Sequence, residues 1–470
     1  MHLLAIGGSD AGIAAALRAR ELDDTVEVTV MLADEFPNFS ICGIPYLVSG
    51  EVADWRHLAH RRREEIAALG IALAANTTAR AIDVAGHRVH ATGPDGAERA
   101  TPYDRLVIAT GATPVRPPIA GLDRLGAADG VHLVHTMGDA FGVLATLEER
   151  RPERAVVVGA GYIGLEMAEA LTHRGLAVTL LEALPQVLST LDPELADPVT
   201  AALADHGVDV RPATTVTEVV REGDGLVVRA TTVAGTPAAV EIHAGIVLVV
   251  AGVTPDTALA RAAGADLGPR GAIRVDRRMA TGLPDVFAAG DCVVTHHVLL
   301  GETYLPLGTT AHKQGRVAGE GALGGERRFA GSLGTQVVRV FDAVAARTGI
   351  RDHEARSAGL DPRTVAATPD DHKAYYPGAT PIHLRLTGDL STGRLLGVQM
   401  VGAVASAVHK RVDTAAAALF AGLSVDEVND LDLAYTPPLG SPWDALQVAA
   451  QRWGAEAASR GANADRADAP

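Results

Sequence analysis

The chain has 470 residues, 47% of them hydrophobic and 21% charged, and a formal net charge of -16. This composition excludes a disordered or fibrous protein, and the acidic excess argues against a broad basic surface for nucleic acid or anionic lipid. With only two cysteines, a disulfide framework or a cysteine-rich metal site is excluded, and a reducing compartment is favoured. At about 150 residues per domain, the length indicates roughly three domains.

The N-terminus and the apolar runs argue against targeting and membrane segments. Met1–Gly8 has no basic region, and its apolar stretch is too short for a signal peptide. The longest apolar runs, such as Ala415–Phe420, fall far short of a membrane span. We therefore expect a cytoplasmic protein that binds neither nucleic acid nor membrane.

Two segments share one order of features: a short apolar strand, a glycine turn, a helix rich in Ala and Leu, and a second strand. The first segment begins at Leu3 and the second at Ala155. Each is typical of a βαβ unit in an α/β protein with Rossmann-like domains. An internal duplication of nucleotide-binding modules is the simplest explanation.

The second glycine turn carries a complete fingerprint, Gly159-x-Gly161-x-x-Gly164. These glycines permit a tight turn, close approach of a pyrophosphate and close helix packing. Glu182 ends the next strand, where an acid binds both ribose hydroxyls and disfavours a 2′-phosphate, and residues 183–190 contain no Arg or Lys. NADH is therefore preferred over NADPH; the alternative is an ordinary βα turn that binds nothing.

The first glycine turn departs from the fingerprint. Gly7 and Gly12 are kept, but Ser9 replaces the middle glycine. Serine is small enough for a dinucleotide phosphate to pass. The following strand ends in Leu32 instead of an acid, so the ribose contact is expected to move to Asp34.

Three further buried strands end near a glycine, at Thr110-Gly111, Gly252 and Gly290. Asp291, which follows the last of these, can accept hydrogen bonds from a polyol chain such as ribityl. Its alternative role is a helix N-cap.

Cys42 is the candidate redox residue. It lies in Asn38–Tyr46, where Pro45 fits the first turn of a helix and places the cysteine near the helix N-terminus. That position favours a thiolate. The alternative is a small buried apolar residue, which is our interpretation of Cys292.

The character of the sequence changes after about residue 326, where a separate α+β domain is predicted. Its alternating strands and two amphipathic helices are expected at Gln336–Phe341, Pro381–Leu386, Leu395–Val401, Ala407–Phe420 and Asp444–Gln451. From Ala455 onward the sequence has no periodicity, so 455–470 is expected to be disordered.

The sequence leaves the role of two groups of residues open, one of basic residues and one of histidines. Lys313, Arg316, Lys410 and Arg411 could hold an anionic substrate or form charge pairs at a dimer interface. His296 and His297 are adjacent on a predicted strand and point to opposite faces, so no metal site is predicted.

The chain resembles the flavoprotein pyridine nucleotide-disulfide oxidoreductases, in their single-cysteine branch of coenzyme A-disulfide reductases and NADH oxidases or peroxidases. The resemblance extends to about residue 453. Besides the first glycine turn, it rests on Cys42–Tyr46, Ile108–Ala112, Gly159–Glu166, Gly252–Pro255, Ala289–Asp291, Tyr375–Gly378, Lys410–Asp413 and Ala434–Pro438.

The resemblance implies bound FAD, NAD(P)H as donor, and a homodimer whose active site is shared between subunits. Tyr375 and Tyr435 match two tyrosines that the partner subunit contributes in coenzyme A-disulfide reductases, so they join Cys42 as predicted catalytic residues. The implied domains are FAD-binding (1–115 and 245–325), NAD(P)H-binding (116–244) and dimerisation (326–454). The predicted cofactor-binding residues are Gly7, Ser9, Asp10, Ala11, Gly12, Asp34, Asn38, Cys42, Thr110, Gly111, Gly159, Gly161, Tyr162, Ile163, Gly164, Glu182, Gly252, Gly290 and Asp291.

The sequence departs from the family pattern at several positions. Asn38 replaces a serine and Ile41 an asparagine near the cysteine, and Glu21 replaces an arginine that helps to bind coenzyme A. Coenzyme A therefore stays an open candidate. Asp10 stands where water-forming NADH oxidases carry a histidine, and it either donates a proton or caps the helix.

Three functions follow in order of preference. In the first, NADH reduces a small disulfide or persulfide through FAD and Cys42. In the second, an NADH oxidase or peroxidase reduces oxygen or peroxide. In the third, the flavin donates electrons to a redox protein or a metal species and Cys42 is silent. A redox-sensing dimer with slow turnover is a remote fourth.

Overall fold

The computed structural model describes residues 1–233 and 237–467. The chain forms two compact units, each built from separate stretches. The first contains Met1–Pro117, Gly126–Arg151 and Val249–Ser332; the second contains Pro118–Leu125, Pro152–Leu248 and the chain from Leu333 onward. The finer division into three domains stays a prediction.

The described residues form strands and helices with the following bounds. The strands are β1 His2–Ile6, β2 Glu27–Met31, β3 Ile71–Ala74, β4 Thr78–Asp83, β5 Arg88–Thr92, β6 Glu98–Pro102, β7 Arg105–Ile108, β8 Ala112–Pro114, β9 Val131–Leu133, β10 Arg154–Val158, β11 Ala177–Leu181, β12 Asp209–Arg211, β13 Thr214–Glu222, β14 Gly225–Thr232, β15 Ala238–Ala244, β16 Ile246–Val249, β17 Val253–Pro255, β18 Val286–Ala288, β19 Thr295–His297, β20 Gly301–Thr303, β21 Gln336–Val340, β22 Ala343–Gly349, β23 Pro362–Ala367, β24 His383–Asp389 and β25 Leu395–Ala403. The helices are α1 Asp10–Leu22, α2 Ile44–Ser49, α3 Arg63–Ala68, α4 Met137–Arg150, α5 Tyr162–His173, α6 Pro193–Asp205, α7 Ala258–Ala262, α8 Gly308–Ala322, α9 Asp352–Ser357, α10 Val408–Ala421, α11 Val425–Asn429 and α12 Ala445–Ala467.

The first unit is organised around a parallel sheet of order β18-β7-β1-β2-β3. Its central strand β1 is apolar and buried from Leu3 to Ile6, because both faces of the sheet are covered there. Leu3 and Ala5 belong to one core cluster, and Leu4 and Ile6 belong to another. Such continuous apolar runs are typical of a parallel sheet with helices on its faces.

Helices α1 and α8 of this unit pack closely along a seam of small residues. A Cβ added at Gly315 would lie 2.3 Å from the carbonyl oxygen of Ala11, and one added at Gly319 would lie 2.3 Å from that of Ala15. The two helices can approach this closely only because glycine has no side chain.

The second unit repeats the parallel arrangement and adds antiparallel sheets. Strands β10, β11 and β12 are parallel neighbours, with β16 on the other side of β10. Strands β13, β14 and β15 form an antiparallel sheet. A five-stranded sheet of order β21-β22-β25-β24-β23, also antiparallel, forms the C-terminal part, which confirms the predicted α/β fold class with a C-terminal α+β region.

The tail differs from the sequence-based expectation of disorder over 455–470. Helix α12 continues to Ala467, and residues 468–470 lie outside the described part. The helix is anchored before the tail by Trp453, which is 5% exposed and whose indole Nε1 donates to the carbonyl of Arg363 at 2.9 Å. No helix among the described residues is long and apolar enough to cross a membrane.

The seam between α1 and α8 can be tested with Gly315→Ala. The added methyl group would meet backbone atoms that cannot rotate away, so we expect a loss of about 1–3 kcal/mol in the free energy of unfolding. Thermal unfolding of the purified protein measures it. The control is Gly126→Ala, where an added Cβ has no heavy atom within 4 Å. Equal midpoints for the two variants would contradict the close packing.

Candidate functional site

The first glycine turn has no room for side chains. Gly7 has a φ of +116°, and its amide donates to the carbonyl of Met31 at 2.8 Å. A Cβ on Gly7 would lie 2.0 Å from the carbonyl oxygen of Ala109, and one on Gly12 would lie 1.9 Å from that of Gly7. The turn from β1 into α1 therefore has no space for a side chain at either glycine.

The residues between these glycines begin α1. Ser9 precedes the helix in an extended conformation without a side-chain cap, and Asp10 is the first helical residue. The sequence had left open whether Asp10 caps the helix; the N-cap position belongs to Ser9 instead. Leu32 is buried, and its side chain lies against Gly8, where a Cβ would come within 2.8 Å of it.

Asp34, the alternative ribose ligand, lies in a turn of its own. Its carboxylate accepts a hydrogen bond from the amide of Phe36 at 3.0 Å, and desolvation raises its pKa. The residue remains accessible, so its proposed contact with a ribose stays a prediction.

The second glycine turn repeats the geometry of the first. Gly159 has a φ of +107°, and its amide donates to the carbonyl of Leu181 at 2.8 Å. Gly161 precedes α5, and a Cβ there would have no heavy atom within 4 Å, whereas Gly164 is buried in the first turn of the helix. The open space at Gly161 suits the close approach of a phosphate to the backbone.

Glu182 is fixed beside this second turn. Its carboxylate accepts hydrogen bonds from the amide of Ala160 at 2.7 Å and from that of Leu184 at 2.9 Å. An ionised carboxylate has about four acceptor positions, so it can still receive two ribose hydroxyls. The structure thus places a carboxyl group directly after β11, and its contact with a ribose stays a prediction.

Tyr162 and Ile163 differ in exposure. The hydroxyl of Tyr162 is hydrogen-bonded to the side chain of Gln336 and accepts from Thr190 at 3.3 Å, and burial raises its pKa. Ile163 is 38% exposed. The contact with Gln336 could not be found from the sequence, because the two residues are far apart along the chain.

Hydrogen bonds join the segment of Thr110 and Gly111 to the segment that contains Gly252. The hydroxyl of Thr110 donates to the carbonyl of Asp256 at 2.5 Å, and the carbonyl of Gly111 accepts from the amide of Asp256 at 3.0 Å. The carbonyl of Gly252 accepts from the amide of Val115 at 2.8 Å, beside the antiparallel pair β8 and β17.

Gly290 and Asp291 lie against the start of α1. A Cβ on Gly290 would come within 2.8 Å of the Cβ of Ala11. Burial, reinforced by the negative charge of Asp10, raises the pKa of Asp291 to about 6. A turn and then β19 follow Asp291, so the helix N-cap alternative is wrong.

Gln314 is a residue of this region that the sequence did not single out. It lies on α8, is 1% exposed, and accepts a hydrogen bond from the amide of Gly290 at 3.0 Å through Oε1. Its buried Nε2 has no hydrogen-bond partner in the described part of the chain. A buried unsatisfied donor beside Gly290, which itself packs against Ala11 of the first glycine turn, suits a polar cofactor such as FAD. The only sequence signal was the small-residue pattern around it in α8.

Asp10 faces two histidines. Its Oδ1 lies 3.4 Å from Nε2 of His312, and the ring centroids of His312 and His60 are 5.8 Å apart. Burial raises the pKa of Asp10, while the two histidines act in the opposite direction. With Asn38, Arg61, Arg316 and several apolar residues of α1, they line a cavity of about 310 Å³.

Cys42 lies in a single 3-10 turn, Ile41–Gly43, directly before α2. Pro45 occupies the start of α2, as predicted from the sequence. The cysteine is exposed. A thiol in this position is accessible to a small molecule, although its redox role stays a prediction.

Main-chain hydrogen bonds fix the segment that carries Cys42. The amide of Asn38 donates to the carbonyl of Gly8 at 2.7 Å, and the carbonyl of Asn38 accepts from the amide of His60 at 2.9 Å. Two residues later, the amide of Ser40 donates to the carbonyl of Leu58 at 2.8 Å. The cysteine segment is thus tied directly to the first glycine turn.

An aromatic cluster supports the same segment. The rings of Phe36, Phe39, Trp55 and Phe141 pack with centroid separations of 5.4–5.7 Å. Only 4% of the chain is aromatic, so four rings at one place indicate a rigid support for this loop.

Cys292 packs in the core, as predicted. It is fully buried, and its thiol donates weakly to the carbonyl of Ala289 at 3.4 Å. Burial raises the pKa of this thiol to about 11. Cys292 is therefore unsuited to nucleophilic chemistry.

Tyr375 and Tyr435 come together in the C-terminal part of the second unit. Their side chains are hydrogen-bonded, which raises the pKa of Tyr435. The amide of Lys373 donates to the carbonyl of Pro437 at 3.3 Å and links the two loops. Tyr375 is 73% exposed and Tyr435 is 43% exposed, so both are accessible in a single chain.

The basic residues and histidines whose roles the sequence left ambiguous mostly have partners within the chain. Arg316 forms an ion pair with Glu21 at 2.8 Å, and Arg411 forms one with Asp444 at 2.8 Å. Lys410 lies 3.2 Å from Asp413, and Lys313 is exposed. The Nδ1 atom of His297 accepts from the amide of Leu299, while His296 contacts Arg277. The paired histidines thus have different partners.

Comparisons with known proteins cover nearly the whole chain. The profile of the pyridine nucleotide-disulphide oxidoreductase family matches residues 1–315. The profile of the dimerisation domain of the same family matches residues 335–445.

Two relatives and one solved structure illustrate the similarity. The NAD(P)H coenzyme A polysulfide/persulfide reductase of Pyrococcus horikoshii is 36% identical over 95% of this chain and 97% of its own. An NADH oxidase of Methanocaldococcus jannaschii is 32% identical over 96% of this chain and 98% of its own. The structure of a NAD-dependent persulfide reductase from A. fulgidus superposes with a TM-score of 0.90 at 35% identity, covering 97% of this chain and 83% of its own.

The backbone of Asn38 provides a test of the cysteine segment. Its φ of +57° lies in the left-handed region, which asparagine and glycine tolerate better than alanine. We expect Asn38→Ala to be less stable than Asn38→Gly by about 1 kcal/mol. We also expect its Cys42 to react at an altered rate with a thiol reagent.

The matched pair is Asn76→Ala and Asn76→Gly, because Asn76 has a φ of +50° and is exposed. This pair should show the same order of stability with no change at Cys42. If Asn38→Ala were as stable as Asn38→Gly, the positive φ would not constrain the loop.

Proposed function

The chain belongs to the pyridine nucleotide-disulphide oxidoreductase family, and on this premise we propose that it reduces a low-molecular-weight disulfide or persulfide with electrons from NADH through Cys42. As a member of the family it is an FAD-dependent oxidoreductase that uses NAD(P)H. The observation that carries the proposal is an exposed Cys42 on a turn tied by main-chain bonds to the first glycine turn.

The sulfur chemistry takes place at Cys42. Its thiolate attacks one sulfur of R–S–S–R, a Cys42–S–S–R bond forms, and R–S⁻ leaves. Bound FAD supplies the two-electron relay between the nicotinamide and sulfur. Two electrons from NADH break the mixed disulfide and return the Cys42 thiolate and a second R–S⁻. The balance is NADH + H⁺ + RSSR → NAD⁺ + 2 RSH; a persulfide R–S–SH gives RSH and H₂S.

The residues around the first glycine turn serve this reaction by position. Gly7 and Gly12 allow the tight turn at the end of β1 that exposes backbone to a cofactor, and the unpartnered Nε2 of Gln314 offers it a hydrogen bond. Asp291 is the proposed acceptor for hydroxyls of the ribityl chain. Burial keeps the pKa of this carboxyl at about 6, so it becomes neutral in mildly acidic solution.

Two tyrosines from a second subunit would complete the active site in a homodimer. The dimerisation-domain match supports assembly of two chains, and the exposed Tyr375 and Tyr435 are accessible to another subunit. We propose that the partner subunit's Tyr375 and the partner subunit's Tyr435 protonate or orient the sulfur that leaves. A phenol hydroxyl can donate the proton that a departing thiolate requires.

The acceptor belongs to the class of small sulfur compounds. Relatives named as persulfide and coenzyme A-disulfide reductases support this choice. Glu21, which replaces a coenzyme A-binding arginine, forms ion pairs with Arg18 and Arg316. Coenzyme A is thus one candidate for R among several thiols. A reducing cytoplasm, consistent with the low cysteine content, is the proposed location.

A second candidate function is the reduction of oxygen or peroxide. The Methanocaldococcus relative named NADH oxidase supports it. Asp10 also favours it, because burial raises the pKa of this carboxyl at the start of α1, so a larger fraction of it is protonated and has a proton to donate. In this function NADH is consumed in air without an added disulfide.

The role of Cys42 is tested by Cys42→Ser in the flavin-loaded enzyme. Without the thiolate no mixed disulfide forms, so NADH-dependent turnover of disulfide or persulfide should fall by at least about 10³-fold. Flavin content and anaerobic reduction by NADH should be unchanged. Cys292→Ala, which alters only a core residue, should keep its turnover. Full disulfide turnover by Cys42→Ser would rule out the proposal, whereas oxygen consumption without added disulfide would favour the oxidase.

The preference for NADH is tested by Glu182→Gln. The amide keeps an acceptor oxygen for a neighbouring backbone amide but removes the negative charge that repels a 2′-phosphate. We expect the ratio of kcat/KM for NADH to that for NADPH to fall about ten-fold, equivalent to about 1.4 kcal/mol. Steady-state rates with both donors measure the ratio. Glu149→Gln, an exposed change on α4, is the control, and an unaltered ratio in Glu182→Gln would contradict the assignment.

A further inference from the structure

We propose that Asp10, His60 and His312 form a binding site for a divalent transition-metal ion, of which Zn²⁺ is the representative. The proposal does not depend on the identity of the electron acceptor. It revises the sequence-based expectation of no metal, which considered only the neighbouring pair His296 and His297.

The three side chains already converge. One ligand atom from each, a carboxylate oxygen and two imidazole nitrogens, lies within 4.8 Å of the others. In a tetrahedral zinc site with bonds of about 2.0–2.1 Å, neighbouring ligand atoms are about 3.3 Å apart. The 3.4 Å separation between Oδ1 of Asp10 and Nε2 of His312 therefore already matches one edge of such a site.

The backbone holds the three ligands on well-fixed elements. Asp10 begins α1 and His312 lies on α8, and these helices are locked together where Gly315 meets Ala11. The amide of His60 donates to the carbonyl of Asn38 at 2.9 Å, which fixes its main chain. The side chain of His60 is exposed, so it is free to rotate toward the other two ligands.

The carboxylate of Asp10 has an unused coordination position. Its Oδ1 atom is buried and accepts no hydrogen bond from any described residue. Buried polar atoms are normally satisfied, so this oxygen indicates a ligand or an ion that the protein chain does not provide. The adjoining cavity of about 310 Å³ is large enough for an ion with a coordinated water.

The surrounding charges permit a cation. Arg316 and Arg61 also line the cavity. Both terminal nitrogens of Arg316 are hydrogen-bonded to the carboxylate of Glu21, at 3.0 and 2.8 Å, so this charge is compensated. Asp291 adds a second carboxyl group that interacts with Asp10.

The chemical types of the three ligands determine which metal ion the site prefers. Two imidazoles and one carboxylate suit Zn²⁺ and related transition metals, whereas Ca²⁺ and Mg²⁺ require mostly oxygen ligands. Three protein ligands leave a fourth position open for water or an exogenous ligand, as in catalytic zinc sites. The site is therefore expected to bind zinc reversibly.

The test uses the flavin-loaded Cys42→Ser enzyme, so that the exposed thiol cannot bind the metal. Isothermal titration with ZnCl₂ should show one ion per chain. With Co²⁺, absorption bands of a low-symmetry site should appear at longer wavelengths than the flavin bands. In the same background, His60→Ala and His312→Ala should each bind Zn²⁺ at least about ten-fold more weakly. His57→Ala, an exposed change on the neighbouring turn, should bind it unchanged.

Flavin content and thermal unfolding show that each variant is folded. If a variant does not fold, the conservative His60→Gln or His312→Gln replaces it. The proposal is overturned if the Cys42→Ser parent binds no Zn²⁺ at micromolar concentrations. It is also overturned if the His60 and His312 variants bind Zn²⁺ as tightly as the parent, or if MgCl₂ competes equally.

Discussion

The first unit depends on one steric constraint: the turn from β1 into α1 has no volume for a side chain. The carbonyl oxygens of Ala109 and Gly7 lie where the Cβ atoms of Gly7 and Gly12 would be. This close packing brings the ends of β1 and β7 and the start of α1 to one place. A polar cofactor can then contact backbone there, because no side chain is in the way.

The rest of the site is attached to that turn. The segment carrying Cys42 is bound to it through the amide of Asn38 and the carbonyl of Gly8. Helix α8 packs on α1 and supplies Gln314, whose amide oxygen holds Gly290. The cysteine, the first glycine turn and the carboxyl group of Asp291 are therefore positioned by one compact arrangement in the first unit.

Local patterns predicted much of this architecture. The glycine spacing and apolar strands indicated both βαβ units, and Pro45 indicated the helix that follows Cys42. The sequence could not reveal Gln314, His60 or His312, because these residues come near the glycine turn only through tertiary packing. The sequence from Ala455 onward has no periodicity of its own, and the sequence alone could not show that it extends a helix anchored at Trp453.

The anchoring of the cysteine segment through main-chain groups has an evolutionary consequence. Its bonds to Gly8, Leu58 and His60 use amides and carbonyls, which every residue other than proline provides. The side chain of Ile41 takes no part in these bonds, whereas Gly43 is restricted, because a Cβ there would lie 2.5 Å from the side chain of Leu58. The surface beside the exposed thiol can therefore change at Ile41 in evolution while these bonds are kept.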